Sequence, residues 1–290
     1  MQSVDRDFAY SLKPSLWASE ALRFNADCWQ KDVLDSISKK VLLNCSRQVG
    51  KSSVSSILAL HTAIFQPGSM ILMVSPSLRQ SSELFRKFLG YLELLPDMPA
   101  RNEDTKLSLK LDNGSRVVSL PGSEGTIRGY SSVSLLLIDE AARVMDDLYF
   151  AVKPMLAISR GRMLALSSPF GKRGWFFREW SEGESWQKHE IRATDCPRIS
   201  PEFLEGERRS MPASWFAAEY MCEFGETEDQ LFSFDLVQSM LEHDDAPAFG
   251  YGRRADPADP YSILEHAGED ESESESENRR PQYGGERYVS

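Results

Sequence analysis

The stretch VLLNCSRQVGKSSV, residues 41–54, reads as a buried strand, a tight loop and a helix opening at Lys51. It carries the second half of the phosphate-loop pattern, with Gly50, Lys51 and Ser52 in place. Gly50 lets the backbone approach a phosphate, Lys51 pairs with β and γ phosphate groups, and Ser52 can ligate magnesium. The helix that follows aims its N–H groups and its dipole at the anion. Cys45 stands where the pattern ordinarily has its first glycine. Arg47 lies inside the loop, where a solvated turn arginine is the plain alternative.

Outward from this loop, apolar runs alternate with helical spacing from about Asp27 to Gly225. The runs are 41–45, 70–75, 133–139 and 162–168, and the helical segments are 51–65, 78–95 and 150–159. Continuous Val, Ile and Leu strands separated by helices predict a mainly parallel sheet covered on both faces. LSLKLDNGSRVVSL (107–120) predicts a hairpin, with Asn113-Gly114 supplying the positive φ values of a tight turn.

The run SVSLLLIDEAARV ends a buried strand in Asp139-Glu140. Adjacent carboxylates at the C-terminal end of a parallel strand lie where open α/β sheets bind ligands. Asp139 can hold a magnesium shell and Glu140 can orient and deprotonate a water. For Asp139 alone, a helix cap is the alternative. The next strand, RMLALSS, ends in Ser167-Ser168-Pro169, whose hydroxyls can sense a γ-phosphate and relay its loss. Trp29-Gln30 precede the loop strand, offering a flat ring and an amide to adenine, or else a core Trp beside a surface Gln.

The chain's 290 residues, 41% hydrophobic and 27% charged, exclude a fibrous or wholly disordered protein. Apolar runs such as Met70–Val74 fall far short of the roughly 18 residues of a membrane span, so the chain reads as soluble, intracellular and without a membrane partner. Cys28, Cys45, Cys196 and Cys222 pair neither with one another in spacing nor with the four histidines, so neither disulfides nor zinc are expected. Residues 241–290 hold 13 Asp/Glu against 5 Arg, so most of the net charge of −11 lies there. The body is close to neutral, and a local basic face remains open. Beyond Phe232 the pattern decays, through a candidate helix FSFDLVQSMLEH, into a Pro/Gly/Asp-rich and acidic tail that cannot bury enough apolar area to order itself.

In their order, DCWQKDVL, NCSRQVGKSS, VSPSLRQSSELFRKF, TIRGYSSVSLLLIDEAARV and ALSSPFGKRGWFFREW resemble the ATPase domain of the large terminase subunit, the motor that packages viral DNA. The resemblance spans roughly residues 15–235. It implies a RecA-like P-loop NTPase fold with an extra strand between the two nucleotide-binding strands. The implied domains are an N-terminal segment (1–25), the ATPase domain (26–225), a helical extension or linker (226–250) and an acidic, largely disordered tail (251–290). The implied function is ATP hydrolysis driving double-stranded DNA into a procapsid, with ATP and Mg2+ as cofactors. Trp29, Gln30, Cys45, Ser46, Arg47, Gln48, Val49, Gly50, Lys51, Ser52 and Ser53 would bind ATP; Ser52 and Asp139 would hold the metal. Glu140 would activate water, and Ser167, Ser168 and Pro169 would couple hydrolysis to motion. The family's arginine finger falls at Arg47, or at Arg128 reaching a neighbouring subunit's ATP.

Implied partners are duplex DNA, further copies in a homo-oligomeric ring, the portal protein and the small terminase subunit, in the host cytoplasm and transiently at the portal vertex. The family's C-terminal nuclease is not expected, since no strand-end carboxylate set follows and Asp235 reads as a helix N-cap. Candidate DNA contacts are Lys172, Arg173 and Arg178, with Arg208 and Arg209 in the predicted helical segment PEFLEGERRSMPASWFAAEYM (201–221), against a default of solvated surface charge. Two other readings stay open: a helicase-like or remodelling ATPase, and a non-hydrolysing nucleotide-binding scaffold.

Overall fold

The computed structural model describes residues 2–97, 99–122, 127, 129–226 and 239. By internal contacts the chain divides into Met1–Phe234 and Asp235–Ser290. Apart from Ser239, the described residues belong to the first unit, and the expected extension and tail lie almost wholly outside them.

Helices α1 (Gln2–Leu12), α2 (Pro14–Ala21) and α3 (Cys28–Asp35) lead into β1 (Lys40–Cys45). Then come α4 (Lys51–Phe65), β2 (Met70–Ser75) and α5 (Leu78–Glu93). Strands β3 (Arg101–Asp104), β4 (Ser108–Leu111), β5 (Arg116–Pro121), β6 (Leu135–Asp139), β7 (Arg162–Ser167) and β8 (Gln187–Ile191) complete one sheet. Its order is β3-β4-β5-β2-β6-β7-β1-β8. The neighbours from β5 through β8 pair in parallel, and β4 and β3 extend the β5 edge antiparallel. The expected extra strand is β7, which separates β1 from β6.

The continuous apolar runs follow from burial on both faces. Ile71, Met73, Leu135, Leu137, Leu164 and Leu166 join α4 and α5 in one core. Their alternates Leu72, Val74, Leu136, Ile138, Met163 and Ala165 pack with Trp175 and Tyr149 in a second. Strand alternation assigns the two sets to opposite faces. The N-terminal residues take part in the first core: Trp17 meets the rings of His61 and Phe65 on α4, with centroids 5.5 and 5.8 Å away.

Three expectations need correction. The 107–120 hairpin forms, but only Gly114 has a positive φ, at +84°. Leu111 N donates to Ser115 O at 2.9 Å, so the loop is Asp112-Asn113-Gly114, a three-residue connection with glycine in the left-handed position. Asn113 holds the loop to the end of α4, its amide donating to Ala63 O at 2.8 Å. The helix expected over 150–159 runs instead over Asp146–Val152 and gives way to a 3-10 turn, Lys153–Leu156, because Pro154 has no N–H to continue it. The helical segment around 201–221 is two helices, Pro201–Ser210 and Ala213–Met221, parted at Pro212.

Candidate nucleotide site

Residues 46–50 turn the chain from β1 into α4. Gly50 has φ +96°, a conformation that favours glycine, and a Cβ there would stand 2.8 Å from Gln30 Nε2, so the Gln30 amide would have to shift to admit one. Cys45 is the last residue of β1, extended and wholly buried, so no glycine is needed where the usual pattern has one. Burial pushes its thiol far above the ordinary range, leaving it a small apolar side chain.

A clamp braces the loop from outside the motif. Val49 O accepts from Arg198 Nη2 at 3.0 Å and from Gln30 Nε2 at 3.5 Å. Arg198 grips Asp27 through two 2.8 Å bonds, and Asp27 N donates to Gln30 Oε1 at 2.9 Å. Gln30 is therefore buried against the loop backbone. Trp29 packs half-buried on the core. Among the described residues no side chain caps α4, whose N-cap is Gly50, so its first N–H groups remain directed at the space before it.

Lys51 and Glu140 meet across the intervening strand, Nζ to Oε1 at 3.3 Å. Asp139, the last residue of β6, is 7% exposed; burial, with Glu140 beside it, lifts its carboxyl to about 6, while Lys51 pulls the other way. Glu140 N donates to Asp139 Oδ1 at 3.1 Å, and Glu140 takes a left-handed conformation, φ 50°. Such a backbone in a non-glycine residue costs energy and collects at functional sites.

Ser52 and Ser53 lie half-buried in the first turn of α4. Ser167 Oγ donates to Ser168 O at 2.7 Å, Pro169 is buried, and Ser168 Oγ is buried without a partner. Ser75 Oγ, at the end of β2, is a second such hydroxyl; alternation puts it on the sheet face of Asp139. Neither Ser75 nor the Arg198–Asp27 clamp has a motif to betray it in the sequence.

Arg47 is pulled sideways from the loop. Its Nε lies 2.6 Å from Glu219 Oε2, and its N donates to Glu219 O at 3.0 Å. Arg128 lies outside the described residues. Of the candidate DNA contacts, Lys172 pairs with Glu226 at 3.1 Å, Arg178 with Asp146, and Arg209 with Glu205 at 2.8 Å. Arg173 lies over the Phe170 ring, and Arg208 is exposed.

The family profile described as terminase large subunit, T4-like-virus type, N-terminal, matches residues 42–239. The large terminase subunit of Thermus phage G20c is 24% identical over 261 residues, covering 77% of this chain and 53% of that protein. The chain thus spans about half the length of the curated relatives it matches. Among solved structures, the large terminase ATPase domain of Thermus phage P74-26 superposes with a TM-score of 0.65 at 21% identity, covering 73% of this chain and 99% of that one. The large terminase of another thermophilic bacteriophage, solved in complex with ADP, gives 0.56 at 13%, covering 69% and 54%. Those likenesses show the RecA-like fold, and the profile match shows the family: the chain belongs to the terminase large subunits of the T4-like-virus type, over their N-terminal region.

Proposed function

We propose that this chain hydrolyses ATP and uses the energy to drive double-stranded DNA into a procapsid. The observation that carries the reading is the 3.3 Å approach of Lys51 to Glu140, since it joins the phosphate loop to the acidic strand end across β7. The ADP bound to a thermophilic bacteriophage's large terminase of the same fold adds support for a nucleotide in this cleft.

In this mechanism the amides at the start of α4 and the Lys51 ammonium bind the β and γ phosphates. Gln30, already against the loop, lies beside the adenine with Trp29. Glu140 orients the attacking water and accepts its proton. A magnesium ion suits the donor set: Ser52 supplies a hydroxyl, and Asp139 a buried carboxylate whose raised pKa a cation would lower. Bound there, it would neutralise charge on the phosphate oxygens. Arg47, or Arg128 from a neighbouring copy in a ring, stabilises charge on the transferred group. Ser167, Ser168 and Pro169 relay the loss of phosphate. Lys172, Arg173, Arg178, Arg208 and Arg209 are the DNA-facing candidates, with the portal and small terminase subunit as partners at the portal vertex.

The test is ATP hydrolysis by the purified chain, with and without duplex DNA, beside Glu140→Gln. Loss of the base should slow turnover by about 10²–10⁴-fold while nucleotide still binds. Turnover indifferent to Glu140 defeats the mechanism, and binding without turnover in the wild type favours the scaffold reading.

A further inference from the structure

Among the described residues, the Glu140 carboxylate has two cationic neighbours, and only Lys51 belongs to the phosphate-binding loop. The other is Arg143, whose Nη1 stands 3.9 Å from Glu140 Oε2, the oxygen that Lys51 does not take. One turn of 3-10 helix puts it there, with Arg143 N donating to Glu140 O at 2.9 Å.

Its other contact leads to the coupling segment. The Arg143 Cζ lies 4.4 Å from the centroid of the Phe170 ring, and Phe170 directly follows Ser167-Ser168-Pro169. Arg173 lies over the same ring at 4.6 Å. Arg143 Nη1 is buried and makes no hydrogen bond among the described residues, and it faces the carboxylate from just beyond bonding distance. A shift of about 1 Å would close that bond.

A triphosphate draws Lys51 by its greater negative charge, and Glu140 then loses its nearest cation. We propose that Arg143 is a positioning residue that holds the Glu140 carboxylate when Lys51 turns to phosphate, with Phe170 holding Arg143 in turn. The proposal rests on the ATPase reading above and adds a physical link from the water-activating carboxylate to the coupling segment.

The test measures kcat and KM for ATP with magnesium and duplex DNA, and the Kd of mant-ATP, on the full chain. Arg143→Ala should lower kcat by about 10–100-fold, the scale of a misplaced catalytic group, with Kd within about twofold. Arg143→Lys should recover part of the loss. Phe170→Ala should cost less, and should add nothing in the Arg143→Ala background. Where Arg143→Ala does not fold, Arg143→Lys and Phe170→Ala, singly and combined, carry the same comparison. An unchanged kcat, a parallel loss of binding, or additive effects of positions 143 and 170 overturn the proposal. Glu140→Gln run alongside separates the failures: if it abolishes turnover while Arg143→Ala does nothing, only this inference falls; if it leaves turnover intact, the ATPase mechanism falls first.

Discussion

Among the described residues, the phosphate loop is tied to the rest of the protein by two ion pairs of different character. Lys51–Glu140 is largely shielded, its side chains 10% and 23% exposed, and it adjoins the end of β6, every residue of which is buried. Arg47–Glu219 ends on the helix Ala213–Met221, which contains no buried residue; its arginine side chain is 58% exposed and its carboxylate side chain 16%. The first joins the loop to a strand buried along its whole length. The second joins it to an element that few buried contacts hold in place, the kind that opens most easily. A loop with one rigid and one compliant tie can keep its chemistry in register while passing a displacement outward.

The contrast is broken most directly on its rigid side. Leu137→Ala, two residues before Asp139 on β6, should destabilise the fold by about 2–5 kcal/mol in urea unfolding. A cost near zero would mean that β6 is not the firm support described here.

Next in size is a pH effect at Asp139 without metal. Its folded pKa of about 6 stands above its ordinary 3.8, so between those values the folded state keeps a proton that the unfolded state has released. Stability therefore falls as pH rises through that window, and Asp139→Asn should flatten the fall in a series of thermal midpoints. The same slope in both proteins would assign it to another group.

The smallest effect belongs to the compliant side. Glu219→Ala should cost about 1 kcal/mol, since the arginine of the pair stands largely in solvent although the carboxylate is shielded. It should speed amide hydrogen exchange in Ala213–Met221 and leave β6 unchanged. Equal acceleration in both elements would erase the distinction.

Much of this arrangement can be read in the chain before folding. Strands β2 and β7 are legible because burial on both faces writes them as unbroken apolar runs. The edge strand β8, QKHEI, alternates in exposure and offers no such run. Gly50, Lys51, Asp139 and Glu140 are legible because the chemistry of phosphate and water restricts their type and spacing. The Arg198–Asp27 clamp is illegible for the opposite reason: its partners lie 171 residues apart, and either alone is an ordinary surface charge. Arg143 stands in plain view within IDEAARV, yet its role is hidden there, since only the folded chain brings Phe170 onto it.

The placement of β7 has one more consequence. Two ladder spacings, about 9.5 Å, separate the strand that launches the phosphate loop from the strand that ends in the acids. Main-chain hydrogen bonds fix that gauge, so residue substitutions along the three strands leave the width of the cleft untouched. A sheet built in this way can absorb changes at about three residues in four, the difference between this chain and its relative from Thermus phage G20c, without altering that gauge.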